Sequence, residues 1–378
     1  MKLALITRRY PPDIGGAEKV LSYLAPALAS AGAEVTVLTA HAAGRPEREE
    51  PPQEGGGRLQ IIRLPTATAR FLGTWLYMRN LRQWLKRHPI DVAYVSMLKH
   101  DAYVAVGQGG RQSFPVVLRP EGAGATGDLA WQSWGRFGRT IGRRCRGADA
   151  VVSISQAIRT ELLGAGYAPN QIYSLPNGVP VPADPWQPRP GWAQAPRALF
   201  VGRLAPEKGL DILLDAWPLV LASHPGACLT LVGEGPERPR LEAQAERLGV
   251  SGSVKLPGAT DDPGACLREA DLFILPSREE GMSIALLEAM ALGVPLVASD
   301  IPGNRQLVQD QIQGRLAPPD DAPALGRAIF EQWADLDQAA LMGQAARRRV
   351  EAEFSIDAVA RKHLDLFQNL VVKRRTNP

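Results

Sequence analysis

Residues 276–293 read PSREEGMSIALLEAMALG, a stretch in which a loop is followed by a helical pattern. The residues just before it, DLFIL at 271–275, have the length and apolar composition of a buried strand. The segment predicts a strand, a loop that contains Glu280, and a helix over 283–292 that contains Glu288. Because open α/β sheets bind ligands at the carboxyl ends of their strands, this loop is a candidate ligand site.

Glu280 and Glu288 lie on the two sides of this strand-to-helix junction. A carboxylate on each side suits a ligand with two separate diol groups, and a sugar nucleotide has one on its sugar and one on its ribose. The backbone amides of Gly281, Met282 and Ser283, at the start of the helix, would face partly negative groups of the same ligand. The alternative is a solvated acidic loop followed by an ordinary surface helix.

The composition is that of a soluble globular protein with more than one domain. The 378 residues exceed the size at which single cores stop growing, about 250 residues. No apolar run approaches the roughly 18 residues of a membrane span, and the apolar start at 3–6 does not resemble a signal peptide. Because Cys145, Cys228 and Cys266 show no metal-ligand spacing, we expect reduced thiols in a cytoplasmic protein.

Charge is distributed unevenly along the chain, whose net charge is +4. Residues 1–187 contain 22 Lys or Arg against 14 Asp or Glu, whereas the remainder contains 21 against 25. A basic amino-terminal half indicates an anionic partner, either a phosphorylated ligand or a membrane surface.

Seven prolines within residues 176–196 exclude a helix or a central strand there. We therefore predict a domain over 1–183, a proline-rich interdomain linker over 184–196 and a second domain over 197–355. The amphipathic segment 356–378 is predicted to form a helix that packs back on the first domain.

Short apolar runs alternate with helical patterns on both sides of the proline-rich segment, which predicts two parallel sheets. The acidic, Pro-rich and Gly-rich residues 41–58 predict a long flexible loop. The predicted strands are 3–7, 35–39, 59–64, 92–96, 116–118, 150–154 and 172–175 in the first domain, and 198–202, 228–232, 254–256, 272–275 and 296–299 in the second.

Residues 199–209 read LFVGRLAPEKG, a strand that runs into a loop with Arg203 and Lys208. An Arg can grip phosphate oxygens with two nitrogens and a Lys adds a compact charge, so the two could hold a diphosphate. They could also stabilise the negative charge that builds on a leaving group. The alternative is two solvated surface cations.

Residues 11–18 read PPDIGGAE, directly after the first predicted strand. Gly15 and Gly16 would let the backbone approach a ligand closely, and their amides could complete a diphosphate site. A glycine pair is also common in simple turns. The segment does not match the G-x-G-x-x-G fingerprint, which argues against an NAD or FAD enzyme.

Taken together, these motifs resemble those of the retaining glycosyltransferases of family 4, which have the GT-B fold. The resemblance runs along nearly the whole chain and implies two Rossmann-like parallel-sheet domains that face an interdomain cleft. The matching segments are PPDIGGAE (11–18), SLPNGVP (174–180), LFVGRLAPEKG (199–209), LTLVGEGPE (229–237), EGMSIALLE (280–288), ASDIPGNRQLV (298–308) and GRLAPP (314–319).

The resemblance also implies roles for individual residues. Arg203 and Lys208 would contact the donor diphosphate, Glu280 a donor sugar hydroxyl, and Glu288 the ribose. The segment Gly281, Met282, Ser283 and Ile284 would lie along the sugar and phosphates, Gly16 would approach the diphosphate, and Thr260, in the loop 258–262, would border the nucleobase. The family uses no metal at the diphosphate, so no cofactor and no metal site are expected, and Asp335 and Asp337 are interpreted as surface residues.

One position departs from the family pattern. Many members have a His in the loop after the fifth strand, where this chain has Glu121 within VVLRPEGAG. As a carboxylate near the donor sugar, Glu121 could orient a hydroxyl or accept the acceptor's proton, but the role of a general base does not transfer from His automatically. The alternative is a loop acid paired with Arg119. The five histidines match no catalytic motif and are expected to be structural: His41, His88, His100, His224 and His363.

Two basic segments, 70–87 and 131–146, combine cations with Trp, Tyr and Phe at helical spacing. Such helices can lie on an anionic bilayer, so we expect a peripheral protein at the cytoplasmic membrane face. The alternative is that their apolar faces only pack against the sheet. No nucleic-acid-binding module is recognisable, so nucleic acid is not an expected partner.

The function that the resemblance implies is metal-independent transfer of a hexose from a UDP- or GDP-sugar to an acceptor hydroxyl, with retention of configuration. The acceptor would be a glycan or a lipid-linked molecule, in polysaccharide or glycolipid assembly. Two alternatives stay open: a GT-B-fold sugar-nucleotide epimerase, and a protein that binds nucleotide sugars without transferring them.

Overall fold

The computed structural model describes residues 1–11, 16–53, 55–124, 127–192 and 194–376. The chain divides into two compact units. The first contains Met1–Gly178 together with Ile356–Pro378, and the second contains Val179–Ser355. The chain therefore passes between the units twice, at 178–179 and at 355–356.

The described part of the first unit contains a sheet of eight strands in the order β3-β4-β2-β1-β5-β6-β7-β8. The pairs are parallel except for β3 with β4, which is antiparallel. The strands are β1 (Lys2–Ile6), β2 (Glu34–Ala40), β3 (Arg48–Glu49), β4 (Arg58–Leu64), β5 (Val92–Ser96), β6 (Val116–Arg119), β7 (Ala150–Ser153) and β8 (Ile172–Ser174).

The strand order of this sheet reverses at β1, which pairs with β2 on one side and β5 on the other. Strands β5, β6 and β7 are buried along their whole length. Burial on both faces explains why their sequences are continuous apolar runs rather than alternating patterns. The helices along this part of the chain are α1 (Gly16–Ser30), α2 (Arg70–Arg87), α3 (His100–Gln112), α4 (Asp128–Trp134), α5 (Gly138–Cys145) and α6 (Gln156–Gly164).

The prediction of one long loop over 41–58 is wrong at strand β3. The buried side chain of Arg63 on β4 pairs with Glu49, with Nη1 to Oε1 at 2.9 Å, and also reaches the carbonyl of Pro46. Glu50 is bonded by Arg58 at 2.6 Å. These ion pairs hold a two-residue strand on the sheet edge, and a strand that short has no hydrophobic period for a sequence pattern to show.

The described part of the second unit contains a parallel sheet of six strands in the order β11-β10-β9-β12-β13-β14. The five predicted strands are confirmed, and the sixth was not predicted because it has three residues, two of them only half-buried. The strands are β9 (Arg197–Val201), β10 (Cys228–Val232), β11 (Val254–Gly258), β12 (Leu272–Leu275), β13 (Leu296–Ser299) and β14 (Arg315–Ala317). The order reverses at β9, between β10 and β12.

Helices flank this second sheet, and four of those described begin at a residue whose side chain caps the helix. Ser283 caps α10 by accepting a hydrogen bond from the amide of Leu286, and Gly293 ends the helix in the left-handed conformation with φ of 86°. Asp335 caps α13, and Asp335 and Asp337 are both exposed, as predicted. The helices are α7 (Leu210–Ser223), α8 (Arg238–Arg247), α9 (Pro263–Glu269), α10 (Ile284–Leu292), α11 (Pro302–Arg305), α12 (Ala322–Ala334) and α13 (Leu336–Arg349).

The last helix, α14 (Ile356–Thr376), belongs to the first unit and packs against α1. His363 is buried there, its Nε2 3.3 Å from the hydroxyl of Tyr94 on β5. Arg374 Nη1 lies 2.7 Å from a carboxylate oxygen of Asp149. These polar contacts fix the helix on the first sheet after the chain has passed through the second unit.

The proline-rich segment 184–196 belongs to the second unit. Within it, the indole N–H of Trp186 donates to the carbonyl of Ala270 at 2.7 Å, and its ring lies edge-on to Trp192. Both tryptophans are buried, so this segment contributes to the core of that unit. Over the described residues, no helix combines the length and the apolar character that crossing a membrane requires.

Candidate functional site

Lys208 and Glu280 form an ion pair at the carboxyl edge of the second sheet, with Nζ to Oε1 at 2.7 Å. The hydroxyl of Ser277 donates to the same oxygen at 2.7 Å. Lys208 follows β9 and Glu280 follows β12, and these strands are neighbours. The side chains are only 20% and 9% exposed, so the charges act on each other with less screening than a surface pair would.

The close approach of the two loops depends on Gly209. The chain makes a 3₁₀ turn at Pro206–Lys208, and Gly209 then adopts φ of 63°. A Cβ at Gly209 would stand 2.2 Å from the carbonyl oxygen of Pro276, which real side chains do not tolerate. Glycine therefore lets the loop after β9 lie against the loop after β12, and this places Lys208 beside Glu280.

Arg278 joins the same two loops, although no sequence motif pointed to it. Its guanidinium donates to both carboxylate oxygens of Asp211, at 2.9 and 2.8 Å, and to Asp320 at 2.7 Å. It also donates to the carbonyl of Pro206 at 2.7 Å. Burial alone would raise the pKa of Asp211, but the hydrogen bonds from Arg278 outweigh it and lower that pKa. The sequence feature that could have indicated its role is its place just after a strand, two positions before Glu280.

Arg203 is exposed on the loop after β9, next to the buried Leu204. The amide of Leu204 donates to the carbonyl of Glu234, so the loop is anchored while the Arg203 side chain points to solvent. Arg203 and Lys208 thus lie on one loop and differ in surroundings: Lys208 is paired, and Arg203 is exposed to an approaching anion.

The segment after Glu280 leads directly into α10. Met282, Ser283 and Ile284 are buried, and Gly281 and Glu288 are half-buried. Because the Ser283 hydroxyl is used in the helix cap, this segment would meet a ligand chiefly through backbone amides of the first helical turn. Glu288 lies on the helix itself, in its second turn.

Thr260 lies further away, beyond the edge strand β11, and is half-buried. Its hydroxyl accepts a hydrogen bond from the amide of Asp262 at 3.2 Å. Adjacent strands are about 4.8 Å apart, so the end of β11 lies roughly 10 Å from the end of β9, two strands away. The structure therefore brings Lys208 and Glu280 into contact but leaves Thr260 separate, at a distance that a long ligand could span.

Glu121 lies in the first unit, just after β6. Arg119 Nη1 donates to its Oε1, as the alternative interpretation predicted, and the hydroxyl of Ser96 donates to the same oxygen. Arg119 is buried and also bonds the side-chain oxygen of Asn177. Within the described residues, Glu121 Oε2 has no hydrogen-bond partner. Gly16 opens α1, and Gly15 lies outside the described residues.

Asp128, the first residue of α4, fixes the position of Glu121 and was not among the residues predicted for the site. Its carboxylate accepts from the amide of Leu98 at 3.1 Å and from the amide of Glu121 at 2.8 Å. One buried side chain thus ties the loop after β5 to the loop after β6. Burial raises the pKa of Asp128. A lone Asp followed by apolar residues has no sequence pattern that reveals such a bridge.

His363, one of the five histidines, is buried against the first sheet. Burial lowers the pKa of His363 to about 4, so this histidine is neutral at physiological pH. Cys145, Cys228 and Cys266 are free thiols. Among the described residues, no group of three or more His, Cys, Asp or Glu side chains has a metal-binding arrangement.

Two family models match this chain. The model described as Glycosyltransferase Family 4 matches residues 14–181, and the model described as Glycosyl transferases group 1 matches residues 195–335. The first match covers most of the amino-terminal unit, and the second covers the sheet that holds Lys208 and Glu280.

Relatives and solved structures resemble the chain along nearly its whole length. A glycogen synthase of Mycobacterium tuberculosis is 29% identical over 393 residues, which covers 95% of this chain and 92% of the relative. A GDP-mannose-dependent alpha-(1-6)-phosphatidylinositol monomannoside mannosyltransferase of the same species is 28% identical, over 97% of this chain and 98% of its own. The structure of sucrose-phosphate synthase from Thermosynechococcus elongatus matches with a TM-score of 0.81 at 24% identity, over 98% of this chain and 99% of its own. The solved structure shows a shared GT-B fold, and the two family models, which together span most of the chain, show that this chain is a glycosyltransferase of family 4.

Proposed function

We propose that this protein transfers a hexose from a nucleoside diphosphate sugar to an acceptor hydroxyl and retains the anomeric configuration. The observation that carries the proposal is the contact between Lys208 and Glu280 at 2.7 Å, with Arg203 exposed on the same loop. A cation pair beside a carboxylate is what a donor needs, because its diphosphate is anionic and its sugar offers hydroxyl donors. Retention is taken from the family resemblance.

In this proposal the bond between the sugar's anomeric carbon and the diphosphate breaks, and a bond to the acceptor oxygen forms. Arg203 and Lys208 stabilise the charge that builds on the departing diphosphate. Glu280 accepts a hydrogen bond from a sugar hydroxyl, Glu288 holds the ribose, and the amides before α10 face the phosphates. The acceptor's proton leaves with the departing diphosphate or passes to a base.

Glu121 is proposed to orient a hydroxyl rather than to take its proton. Both Arg119 and Ser96 donate to Oε1, so Oε2 is the oxygen that can meet a sugar hydroxyl. With two donors already on Oε1, the carboxylate is held in one orientation, which suits the positioning of a hydroxyl.

The donor is proposed to be a UDP- or GDP-sugar used without a metal cofactor, and the acceptor a glycan or a lipid-linked molecule. The names of the two mycobacterial relatives support this range, since one is a glycogen synthase and the other uses GDP-mannose on a phosphatidylinositol mannoside. Metal independence follows from the family resemblance. Turnover that persists in excess EDTA would support it, and turnover restored only by added Mg²⁺ or Mn²⁺ would overturn it.

Release of nucleoside diphosphate tests transfer against the two alternatives. The protein is incubated with UDP- and GDP-sugars, with and without acceptor, and both the nucleotide and the sugar product are identified. A transferase releases nucleoside diphosphate and forms a glycoside whose anomeric proton signal shows the donor's configuration. An epimerase changes the sugar itself, and a binding protein changes neither. Either of those results, or a product of inverted configuration, contradicts the proposal.

Peripheral attachment to an anionic membrane is a second proposal, supported by exposed aromatic side chains of the first unit. Phe71 and Trp75 on α2 and Trp134 and Phe137 near α4 and α5 are each more than half exposed. The guanidinium of Arg136 lies 4.7 Å from the ring centre of Phe71 and 5.2 Å from that of Phe137, so these rings form one surface. The opposite face of α2 is buried, with Tyr77, Leu81 and Leu85 in the core.

Vesicle sedimentation tests this attachment. Phosphatidylcholine vesicles with and without phosphatidylglycerol are compared, because cations beside aromatic rings favour an anionic interface. The double variant Phe71→Ser with Trp75→Ser should lose most of the binding to anionic vesicles. Leu341→Ser on α13 is the matched control, since Leu341 is also more than half exposed. Binding that ignores phosphatidylglycerol, or that survives the double variant, contradicts the proposal.

A further inference from the structure

Two cations, a histidine and a tryptophan form a cluster at the carboxyl edge of the first sheet, apart from the residues assigned above. Arg8 follows β1, and Lys99 and His100 follow β5, the strand beside it. Lys99 Nζ lies 5.5 Å from the ring centre of Trp131 on α4, and the His100 ring lies 5.6 Å from it, edge-on. All four side chains are half-buried. Ligands of such sheets bind at this edge, beside the strand where the order reverses.

The position of Arg8 is set by contacts beneath it. Its guanidinium carbon lies 4.5 Å from the ring centre of Tyr77, and Nη2 lies 3.5 Å from the hydroxyl of Thr74. Tyr77 is itself fixed, since its hydroxyl donates to the carbonyl of Thr7 at 3.3 Å and lies 3.4 Å from Asp101 Oδ2. A stacked guanidinium that is held in place loses little conformational entropy when it binds a ligand.

The loop that presents Lys99 and His100 is equally fixed. Met97 adopts a positive φ of 69°, which a non-glycine residue keeps only when its surroundings hold it there. The side-chain amide of Gln132 donates to the carbonyl of Leu98 at 2.8 Å, while Asp128 accepts from the amide of Leu98. Helix α4 therefore positions this loop and Trp131 together.

Burial shifts the pKa values of the carboxyls and of the histidine in this cluster in opposite directions. Two carboxyls that interact with this cluster, Asp101 and Asp128, are buried, and burial raises the pKa of both, that of Asp101 to about 6. Burial lowers the pKa of His100, and the charges of Arg8 and Lys99 lower it further. The partly exposed charges of this cluster are those of Arg8 and Lys99, whereas both carboxyls are buried.

We propose that Arg8, Lys99 and His100 bind a phosphate group on the acceptor, with Trp131 against the apolar face of its ring or chain. This inference rests on the proposed glycosyl transfer and names its acceptor class: a hydroxylated molecule that carries a phosphate. Arg supplies a planar fork and Lys a compact charge, a combination that suits phosphate. Glu121 follows β6, one strand beyond β5, so the hydroxyl and the phosphate would meet different residues about 5 to 10 Å apart on the same edge.

Binding of glucose 6-phosphate and of glucose, measured by calorimetry without donor, tests the site. The unmodified protein should bind the phosphorylated sugar at least about tenfold more tightly, because charge-assisted hydrogen bonds to phosphate are the strong ones. Lys99→Gln and Arg8→Gln should each remove about a factor of ten, and Lys99→Arg should retain the preference. Arg111→Gln is the matched control, since Arg111 is exposed at the far end of α3.

The phosphate could belong to a soluble sugar or to a lipid headgroup, and a vesicle arm separates the two. Phosphatidylglycerol in phosphatidylcholine vesicles replaces glucose 6-phosphate, with the same variants. If Lys99→Gln weakens binding of glucose 6-phosphate, the acceptor is a soluble phosphorylated molecule. If it weakens binding to the phosphatidylglycerol vesicles, the phosphate belongs to a lipid headgroup. The inference is overturned if all variants bind glucose 6-phosphate and the vesicles equally well, or if only Arg111→Gln binds them more weakly.

Failure of this inference is distinguishable from failure of the proposed function. Because the calorimetry uses no donor, phosphate binding that depends on Lys99 stands even if no sugar nucleotide is turned over. Conversely, a protein that transfers sugar to glucose and to glucose 6-phosphate equally well, with no effect of Lys99→Gln on the KM of either, is a transferase without this site. Circular dichroism of each variant, compared with that of the unmodified protein, shows that it is folded.

Discussion

Lys208 and Glu280 are 72 positions apart in the sequence and in contact in the fold. The sequence predicted each as a separate ligand of the donor, at the ends of two strands. It could not predict that they pair with each other, because the pairing depends on β9 and β12 being neighbours and on Gly209 allowing the loops to touch. Lys208 therefore contributes both to the charge of the site and to local stability, whereas Arg203 contributes only to the charge.

Substituting Ala at Lys208 should reduce both turnover and stability, whereas Arg203→Ala should reduce turnover alone. Each change removes one preorganised charge donor and should lower kcat by on the order of 100-fold. Lys208→Ala also leaves Glu280, 9% exposed, without its cation, which should cost about 1 to 3 kcal/mol in the free energy of unfolding. Exposed residues such as Arg203 usually change stability by less than about 0.5 kcal/mol.

Nucleoside diphosphate release and urea unfolding measure the two effects separately. Arg240→Ala on α8 is the control for loss of an exposed cation in the same unit, and it should change neither. Near-normal kcat in both site variants would show that these cations do not act on the leaving group.

At the scale of elements, the site is a set of loops at strand ends. Their existence was predictable, since apolar runs followed by loops marked β9 and β12 correctly. The contacts of Arg278 that join these loops were not predictable. Arg278 bonds Asp211 and Asp320, which are 67 and 42 positions away, and no local pattern connects them. Glu121 is similar, since its position after β6 was predictable but the bridge from Asp128 was not.

Arg278→Ala should loosen the loops that hold Lys208 and Glu280 without removing a group that touches the donor. The expected result is a higher KM for the donor and a free energy of unfolding lower by about 1 to 3 kcal/mol at pH 7, since the lost pair is partly buried. Arg278→Lys should restore part of the stability but not the two-oxygen contact with Asp211. Steady-state kinetics and urea unfolding of the three proteins provide the test.

The pH dependence of this effect has a definite sign. The pKa of Asp211 is lower in the folded protein than in the unfolded chain. The ion pair with Arg278 therefore stabilises the fold above the ordinary carboxyl pKa, and this stabilisation is lost as the pH falls through the pKa of Asp211 in the folded protein. The difference in unfolding free energy between Arg278→Ala and the unmodified protein should therefore shrink below about pH 4. A difference that stays constant from pH 7 to pH 3.5 would show that the ion pair does not contribute.

At the scale of the whole molecule, the two parallel sheets were predictable and the path between the units was less so. The linker was expected at 184–196 because of its prolines, whereas the chain passes between the units at 178–179 and again at 355–356. The proline segment instead buries Trp186 and Trp192 in the second unit. Proline density shows where regular structure is absent, but it does not show which core a segment packs against.

His363 makes the docking of α14 sensitive to acid. Its pKa falls to about 4 because it is buried, so protonation opposes folding. Above pH 6.5, the ordinary pKa of His, the imidazole is neutral in both states and the free energy of unfolding is unaffected. As the pH falls from about 6.5 to about 4, the unfolded state takes up a proton and the folded state does not, so the free energy of unfolding decreases. The decrease amounts to up to about 3 kcal/mol, at 1.36 kcal/mol per pKa unit. His363→Gln should flatten the unfolding free energy over that range, as urea unfolding at pH 7 and pH 4.5 would show. Parallel pH profiles for the two proteins would contradict this role.

Nucleotide binding should stabilise the molecule through the second unit, where the residues proposed to bind the donor lie. A ligand at about 100 times its dissociation constant stabilises the folded state by roughly 2.7 kcal/mol, so a thermal-shift panel of UDP, GDP and ADP should single out one base. Arg203→Ala and Lys208→Ala should abolish the shift, because both remove charge from the diphosphate site. Lys99→Gln, in the first unit, should leave it intact. A shift that survives both substitutions in the second unit, or that disappears in Lys99→Gln, would place the nucleotide elsewhere than the loops after β9 and β12.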